Sequence, residues 1–457
     1  MQSTVEPLEG NKVRLSVEVD EQEFEKAVSA AFVRIARDVR VPGFRPGKAP
    51  RRVLEARIGT AAARQEAMRE ALPEYYVQAL KAENVDAIAQ PEITVTGGEE
   101  SGPVAFEATV EIRPTVALEG YGGLKVTVPG PEVTEADVDR QVDRLRSAQA
   151  ELLDVDRPAA EGDVLTVDLK ATQTHDDHED TLDDVTDYTY EIGGSPGFPV
   201  EVDQQLTGTD AGQTIEFDAT VGEGDDAKEI HFTITVSKIQ EKQLPELTDA
   251  WVQESSELTT IEELRADLRG RLEQGRTAGC LNAIRDQAIE GLVELVTEGV
   301  PQVLVGAEVS RRLQELDQTL RKQGADLDAY ASATGGAEHL VASLTEQAAI
   351  SVKADLALRA LADLEELAAT DADLDEEIER LASQLGQKPA QLRRVLERND
   401  SIEAVRSDVR KAKALEWLMD HVEAVDPEGR PIDQAALKAA QEGAHDAAAD
   451  DTDTEQE

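Results

Sequence analysis

The chain has 457 residues, 46 of them basic and 95 acidic, for a formal net charge of −49, which excludes nucleic-acid binding by the surface as a whole and leaves that role only to a local basic patch. The single cysteine, Cys280, excludes an intrachain disulfide. The first twenty residues lack the apolar core of a signal peptide and no run of about 18 apolar residues is present to span a bilayer, so the chain reads as cytoplasmic with no membrane partner.

The length suggests about three domains. Apolar residues make up 40% and aromatics only 3%, so Ala, Leu and Val dominate, a mix that favours helices. Val13, Leu15, Val17 and Val19 alternate within Lys12–Val19, the pattern of a half-buried strand. Phe24, Ala27, Ala31, Ile35 and Val39 follow at spacings of three and four and predict one face of a helix. Residues 41–50 are rich in Gly and Pro and predict a loop, and helical segments then run to about Lys81. Val104, Phe106, Ala108, Val110 and Ile112 alternate again. Thr134 and Asp137 have capping-box spacing, ahead of a helix marked by Val138, Val142 and Leu145.

From about Glu161 to Gln240 the period is two, with strands predicted at Val164–Leu169, Tyr188–Ile192, Thr214–Ala219 and Ile230–Ile239. From Leu244 onward the pattern is helical. Ile261, Leu264, Leu268 and Leu272 share a face, as do Val309, Leu313, Leu316 and Leu320, and then Leu374, Ile378, Leu381 and Leu385. The stripe through Val309 reads as core rather than binding surface. Breaks such as Gly299-Val300-Pro301 separate the helices. Residues 426–457 are rich in Ala, Asp and Glu and read as a disordered acidic tail.

The sharpest motif is Gly43-Phe44-Arg45-Pro46-Gly47-Lys48-Ala49-Pro50. Its glycines permit tight turning and its prolines stiffen it. An exposed Phe beside an Arg supplies an apolar anchor and a fork for phosphate or carboxylate. Between Arg34 and Arg69 there are ten basic residues and three acidic ones, Asp38, Glu55 and Glu66. This island of +7 fits contact with RNA phosphate. Composition alone leaves that reading level with an ordinary solvated helix face.

The pattern G-F-R-x-G-K-x-P resembles the ribosome-binding signature of the trigger factor family, at Gly43, Phe44, Arg45, Gly47, Lys48 and Pro50. Two further stretches resemble the same family: Leu244-Pro245-Glu246-Leu247-Thr248, and Gln287-Ala288-Ile289-Glu290-Gly291-Leu292-Val293 followed by Val300-Pro301. The resemblance implies an ATP-independent chaperone that needs no cofactor. Its partners would be the large ribosomal subunit, through an exit-tunnel protein and rRNA met by Phe44 and Arg45, and nascent or unfolded polypeptides. It also implies a homodimer away from the ribosome. Relatives often carry Lys where Pro46 stands, so one positive contact is missing, with Arg51 and Arg52 as its offset.

The resemblance further implies that the β-rich stretch is an FKBP-type peptidyl-prolyl cis-trans isomerase domain. Such a pocket lowers a rotational barrier of about 18–20 kcal/mol by preferring the twisted amide. Its candidates here are Asp168, Leu169, Tyr188, Val202 and Phe232. Leu169 and Val202 stand where the family carries Phe, and the flap Gly222-Glu223-Gly224-Asp225-Asp226 has no aromatic. Loss of three aromatic walls implies weak or absent activity.

Other motifs read as structure. Gly43–Lys48 lacks P-loop spacing and the Ser/Thr. In Gly193-Gly194-Ser195-Pro196-Gly197 the proline after Ser has no N–H for an oxyanion, so a turn is expected. His175-Asp176-Asp177-His178 reads as a hairpin tip rather than a metal site, and Cys280 as a packed thiol. The expected fold is α+β multidomain: a ribosome-binding domain at 1–112, a connecting arm at 113–150, the isomerase-like domain at 151–242, a helical chaperone domain at 243–425 and the tail. The competing classes are a stand-alone prolyl isomerase and a periplasmic-type holdase.

Overall fold

The structure, a computed structural model, describes residues 1–38, 44–45, 49–175, 178–195, 197–221 and 228–443. In chain order the elements are β1 (Gln2–Leu8), β2 (Lys12–Val19), α1 (Glu21–Asp38), α2 (Arg51–Ala82), β3 (Glu92–Gly97), β4 (Val104–Glu111), β5 (Lys125–Thr127) and α3 (Glu135–Ala148). Then come β6 (Glu151–Asp154), β7 (Val164–His175), β8 (His178–Glu191), α4 (Val200–Leu206), β9 (Thr214–Val221), β10 (Lys228–Gln243), α5 (Asp249–Ser255) and α6 (Ile261–Glu294). The last are α7 (Gln302–Lys322), α8 (Leu327–Ala333), α9 (Ala337–Leu364), α10 (Asp371–Gln384), α11 (Pro389–Arg398), α12 (Ile402–His421) and β11 (Glu423–Val425). The chain divides into two compact units, Met1–Val128 with Ala283–Ile432, and Pro129–Asn282 with the segment from Asp433 onward.

The first unit opens on an antiparallel sheet of order β1-β2-β4-β3. Its inner face carries Val13, Leu15, Val17 and Val19 of β2 beside Val104, Phe106, Ala108 and Val110 of β4, all buried. α1 and α2 cover that face with Phe24, Val28, Ala31, Phe32, Leu54, Met68 and Leu72. α2 breaks at Gly59, whose φ of 77° and ψ of 162° suit a residue without a Cβ. Val39, expected on the α1 face, lies outside the described residues.

The same unit holds α7–α12 and the end of α6. α10, α11 and α12 form a small core of Leu374, Ile378, Ala382, Leu392 and Val405, while Leu385 is exposed. β5 pairs in parallel with β11, and Gln287 of α6 braces it: its amide accepts from Thr127 N–H (3.0 Å) and donates to Thr127 O (2.8 Å). Gly291, one turn further on, would place a Cβ 3.3 Å from Leu124, so its bareness lets β5's entry sit close. Two members of the Gln287–Val293 stretch are thereby explained.

The second unit is built on a sheet of order β6-β10-β7-β8, with β9 also on β10. α4 buries Val202 and Leu206 in a core with Leu165, Val167, Tyr190, Ile192, Ile234 and Val236. α3 carries the expected capping box: Thr134 Oγ1 accepts from Asp137 N–H, and Asp137 accepts from Thr134 N–H. Arg265 of α6 pairs with Glu135 and Asp139 of α3, and Arg276 with Asp137.

Several expectations change. β1, β3 and β6 are strands beyond those expected, although β3 alternates at Ile93 and Val95. β7 continues to His175 past a bulge at Asp168, where Val167 pairs with Tyr188 and Leu169 with Val185. The expected tail is structured in its first part. Asp426 is buried and accepts from Arg430 N–H at 2.8 Å and Arg430 Nε at 2.5 Å, Val425 bridges Pro431, and a helix follows at 434–443. Apolar anchors at Ala424, Val425 and Leu437 hold this segment, which acidity alone did not suggest. Residues 444–457 lie outside the described residues. Of the stretch expected as an arm, 113–128 fall in the first unit and 129–150 in the second.

Candidate functional site

Phe44 and Arg45 lie in the connection between α1 and α2, in neither helix. Phe44 is 41% exposed and Arg45 is exposed. A large apolar ring left in water beside a cation has the makeup of a docking anchor. Gly43, Gly47 and Lys48, the other residues of the signature, lie outside the described residues.

The basic island around this pair divides in two. Arg34 pairs with Glu70, and Arg69 with Glu66. Arg64 is buried over the Phe24 ring and donates to the carbonyls of Gly98 and Gly102, tying the β3–β4 turn to the helices. Arg51, expected with Arg52 as the offset for the missing Lys, pairs with Glu25 and Glu55 and lies over the Phe32 ring. Arg37, Arg45, Arg52 and Arg57 are exposed and make no ion pair among the described residues. Of the eight arginines of the island among the described residues, these four form the available cationic surface; Arg40 and Lys48 lie outside the described residues.

In the β-rich unit the five pocket candidates do not form one wall. Leu169, Val202 and Phe232 are buried in the core. Asp168 accepts the Asp187 N–H at 2.9 Å and so shapes the bulge. Asp168 is half-buried and Tyr188 is exposed, at 36%, with its ring 5.9 Å from Phe198. The sequence reading missed Phe198, which also meets Tyr190 edge-on at 5.2 Å, and Phe217, which stacks on Phe232 at 5.6 Å. Their signal was present in the alternation of β9 and in the Gly197-Phe198-Pro199 run. Tyr190 is fully buried and donates to Asp203 at 2.7 Å; burial, then Asp203, pushes its hydroxyl well above the usual tyrosine range. Asp203 also accepts the Gly193 N–H at 2.9 Å. The flap 222–226 and Pro196 lie outside the described residues, as do Asp176 and Asp177. Ser195 takes the Glu191 N–H at 2.9 Å, as a turn residue would. Burial raises the Cys280 thiol, in keeping with a packed side chain.

The helices of the first unit leave apolar side chains in water: Val303 on α7, Tyr330 on α8, and Val341, Ile350 and Leu364 on α9. The stripe expected as core is half-buried at Val309, Leu313 and Leu316 and buried only at Leu320. A cleft of about 800 Å³ opens between the end of α2 and α9, lined by Val5, Val77, Leu80, Ile112, Leu356 and Ala360. Its charges are paired: Arg113 with Asp86 and Asp355, Arg359 with Asp355, Arg410 with Asp363.

The family model for the bacterial trigger factor protein (TF) matches residues 1–145, and that for its C-terminus matches 260–420. A trigger factor of Nocardioides sp. is 35% identical over 96% of this chain and 93% of its own. The chain belongs to the trigger factor family. A second trigger factor, of Nocardia farcinica, is 36% identical over 96% of this chain and 94% of its own. A solved trigger factor chaperone covers 92% of this chain and 99% of its own, with 23% identity and a TM-score of 0.44. Membership makes the chain a ribosome-associated molecular chaperone whose partners are the ribosome and unfolded nascent chains. The trigger factor family carries a peptidyl-prolyl isomerase domain. Among the described residues no helix is long and apolar enough to cross a membrane.

Proposed function

We propose that this family member docks beside the exit tunnel of the large ribosomal subunit through Phe44 and Arg45, with Gly43, Gly47 and Lys48 completing the tip. The observation that carries this is the exposure of the Phe44–Arg45 pair amid Arg37, Arg52 and Arg57 on an otherwise acidic chain. Phe44 gives an apolar anchor to an exit-tunnel protein, and the arginines meet rRNA phosphate. Docking, isomerase-like and chaperone domains follow in the order 1–112, 151–242 and 243–425, with 113–150 between the first two, in a cytoplasmic protein that forms a homodimer when free. Clients are held by the separated apolar side chains of α7–α9. Each exposes enough surface to contribute on the order of 1 kcal/mol when covered, so binding is weak and release needs no ATP.

Isomerase activity is weak or absent in this reading, because three of the five candidate walls are core residues and Tyr188 with Phe198 is left to do the binding. A proline-limited refolding assay tests this; turnover equal to that of the family's active members overturns it. The docking role is tested by pelleting the wild type and the Phe44→Ala/Arg45→Ala double variant with ribosomes. The variant stays in the supernatant if the reading holds, and equal pelleting removes it.

A further inference from the structure

The segment between α1 and α2 begins and ends on helices that share a core, and one surface side chain ties the start of α2 to the body of α1. Arg51 is the first residue of α2, directly after its cap Pro50. Its Nη1 donates to the Glu25 carboxylate and to Ser29 Oγ at 3.0 Å, and its Nε donates to Glu55 at 2.5 Å. Its guanidinium carbon lies 4.8 Å from the centre of the Phe32 ring. Glu25, Ser29 and Phe32 fall at spacings of four and three on α1, so they form one face, and Phe32 is anchored in the core. A cation at a helix's first turn opposes the helix dipole, and no acid stands in the first turn of α2 to offset it. Glu25 and Glu55 supply that offset. Its neighbour Arg52 is exposed with no ion pair among the described residues.

We infer that Arg51 is a positioning residue for the Phe44–Arg45 pair: it clamps the start of α2 to α1 and fixes the base from which the pair is presented, without itself meeting the ribosome. The inference rests on the docking role proposed above. A planar fork that reaches two carboxylates, a hydroxyl and a ring face at once suits this task, where a lysine lacks the flat, forked group that lies over the ring while its N–H groups pair sideways. Fixing the start of α2 on α1 beforehand lowers the ordering cost of docking without adding a phosphate contact, so the clamp raises affinity with little effect on its salt slope. A phosphate contact acts otherwise, because each one lost reduces the slope of log K against log salt by about 0.9.

The two roles predict opposite results for Glu25. If Arg51 touched phosphate, Glu25 would compete for it, and neutralising Glu25 would tighten binding. If Arg51 is a clamp, neutralising Glu25 loosens it. The experiment is ribosome pelleting of the full chain across a range of salt, for wild type, Arg51→Met, Glu25→Gln, the Arg51→Met/Glu25→Gln pair and Arg45→Ala. Each single clamp variant should weaken binding about three- to tenfold, along lines parallel to wild type, with the pair no weaker than either single. Arg45→Ala should flatten the line by about 0.9. Tighter or unchanged binding by Glu25→Gln, or a slope reduced by about one in Arg51→Met, overturns the clamp. Should circular dichroism show Arg51→Met unfolded, Glu25→Gln, which keeps a polar side chain of the same shape, decides alone. If Phe44→Ala/Arg45→Ala pellets like wild type, the docking reading fails, whatever the Arg51 variants do.

Discussion

Gln287 acts as a substitute strand. β5 has β11 on one side only: Leu124 O accepts from Glu423 N–H and Val128 N–H donates to Val425 O, both at 2.9 Å. Between these residues Thr127 turns its N–H and C=O to the other edge, where no strand lies, and the Gln287 amide meets both. Gln287→Ala removes two hydrogen bonds, each contributing about 0.5–1.5 kcal/mol net. Both are exposed to solvent, so water replaces part of the loss, and about 1–2 kcal/mol is expected. With two compact units a single global unfolding free energy is not well defined, so the readout is hydrogen exchange at the Thr127 amide. That amide should exchange about 5–30 times faster.

Gln287→Glu tests the geometry more sharply. One carboxylate oxygen still accepts from Thr127 N–H, but the other faces Thr127 O, acceptor against acceptor. At neutral pH this variant should protect Thr127 no better than Gln287→Ala. As pH falls through the glutamate range near about 4.3 the carboxyl gains a proton, becomes a donor and recovers the second bond. Thr127 exchange unchanged in Gln287→Ala, or full protection in Gln287→Glu at pH 7, would falsify the brace.

Tyr190→Phe leaves Asp203 with the Gly193 N–H but removes a bond at a fully buried ring; thermal melting of the β-rich unit should show a loss of about 1–2 kcal/mol. Asp373, bound by Lys413 and capped by Thr370, is held down to about 2, below its ordinary 3.8. Its contribution to stability is therefore complete above pH 3.8 and is lost as pH falls toward 2, so the acid branch of the melting curve should be flatter in Asp373→Asn than in wild type. The four arginines left unpaired among the described residues contribute about −3 to −4 to the salt slope of ribosome binding; a slope near −9, one contact for each of the ten basic residues of the island, would mean that the paired arginines open on docking.

Two of the strands not expected from sequence, β1 and β6, share a cause, whereas β3 does alternate, with Ile93 and Val95 half-buried between exposed residues. β1 and β3 are the edges of the first sheet, and β6 is an edge of the second. Alternation is legible only where one face is buried and the other wet. β2 and β4 bury every second residue, whereas β1 leaves Ser3 and Leu8 half-buried and the rest exposed, and all four residues of β6 are exposed. The outer half of β8 escaped for the same reason, as 181–184 are exposed. Helices were more legible, since α1, α3 and α10 each bury one face along most of their length. The stripe on α7 was legible as a face but not in its depth: periodicity shows which side chains lie together, not how much protein covers them.

The candidate site fails to be legible in a related way, because a sequence window counts charges without their partners. The island at 34–69 reads as +7, but Glu25 and Glu70, which neutralise Arg51 and Arg34, lie outside that window, and Arg64 is held by carbonyls that carry no formal charge. Among the described residues two layers of cation result. One holds α1, α2 and the β3–β4 turn together, and the other, Arg37, Arg45, Arg52 and Arg57, is left to act outward. On a chain of net charge −49 a docking face must be local and directed, since long-range attraction to RNA is outweighed by repulsion. Fixing the inner arginines in ion pairs gives the outer ones a rigid base, which is why the basic count exceeds the number of contacts that docking requires.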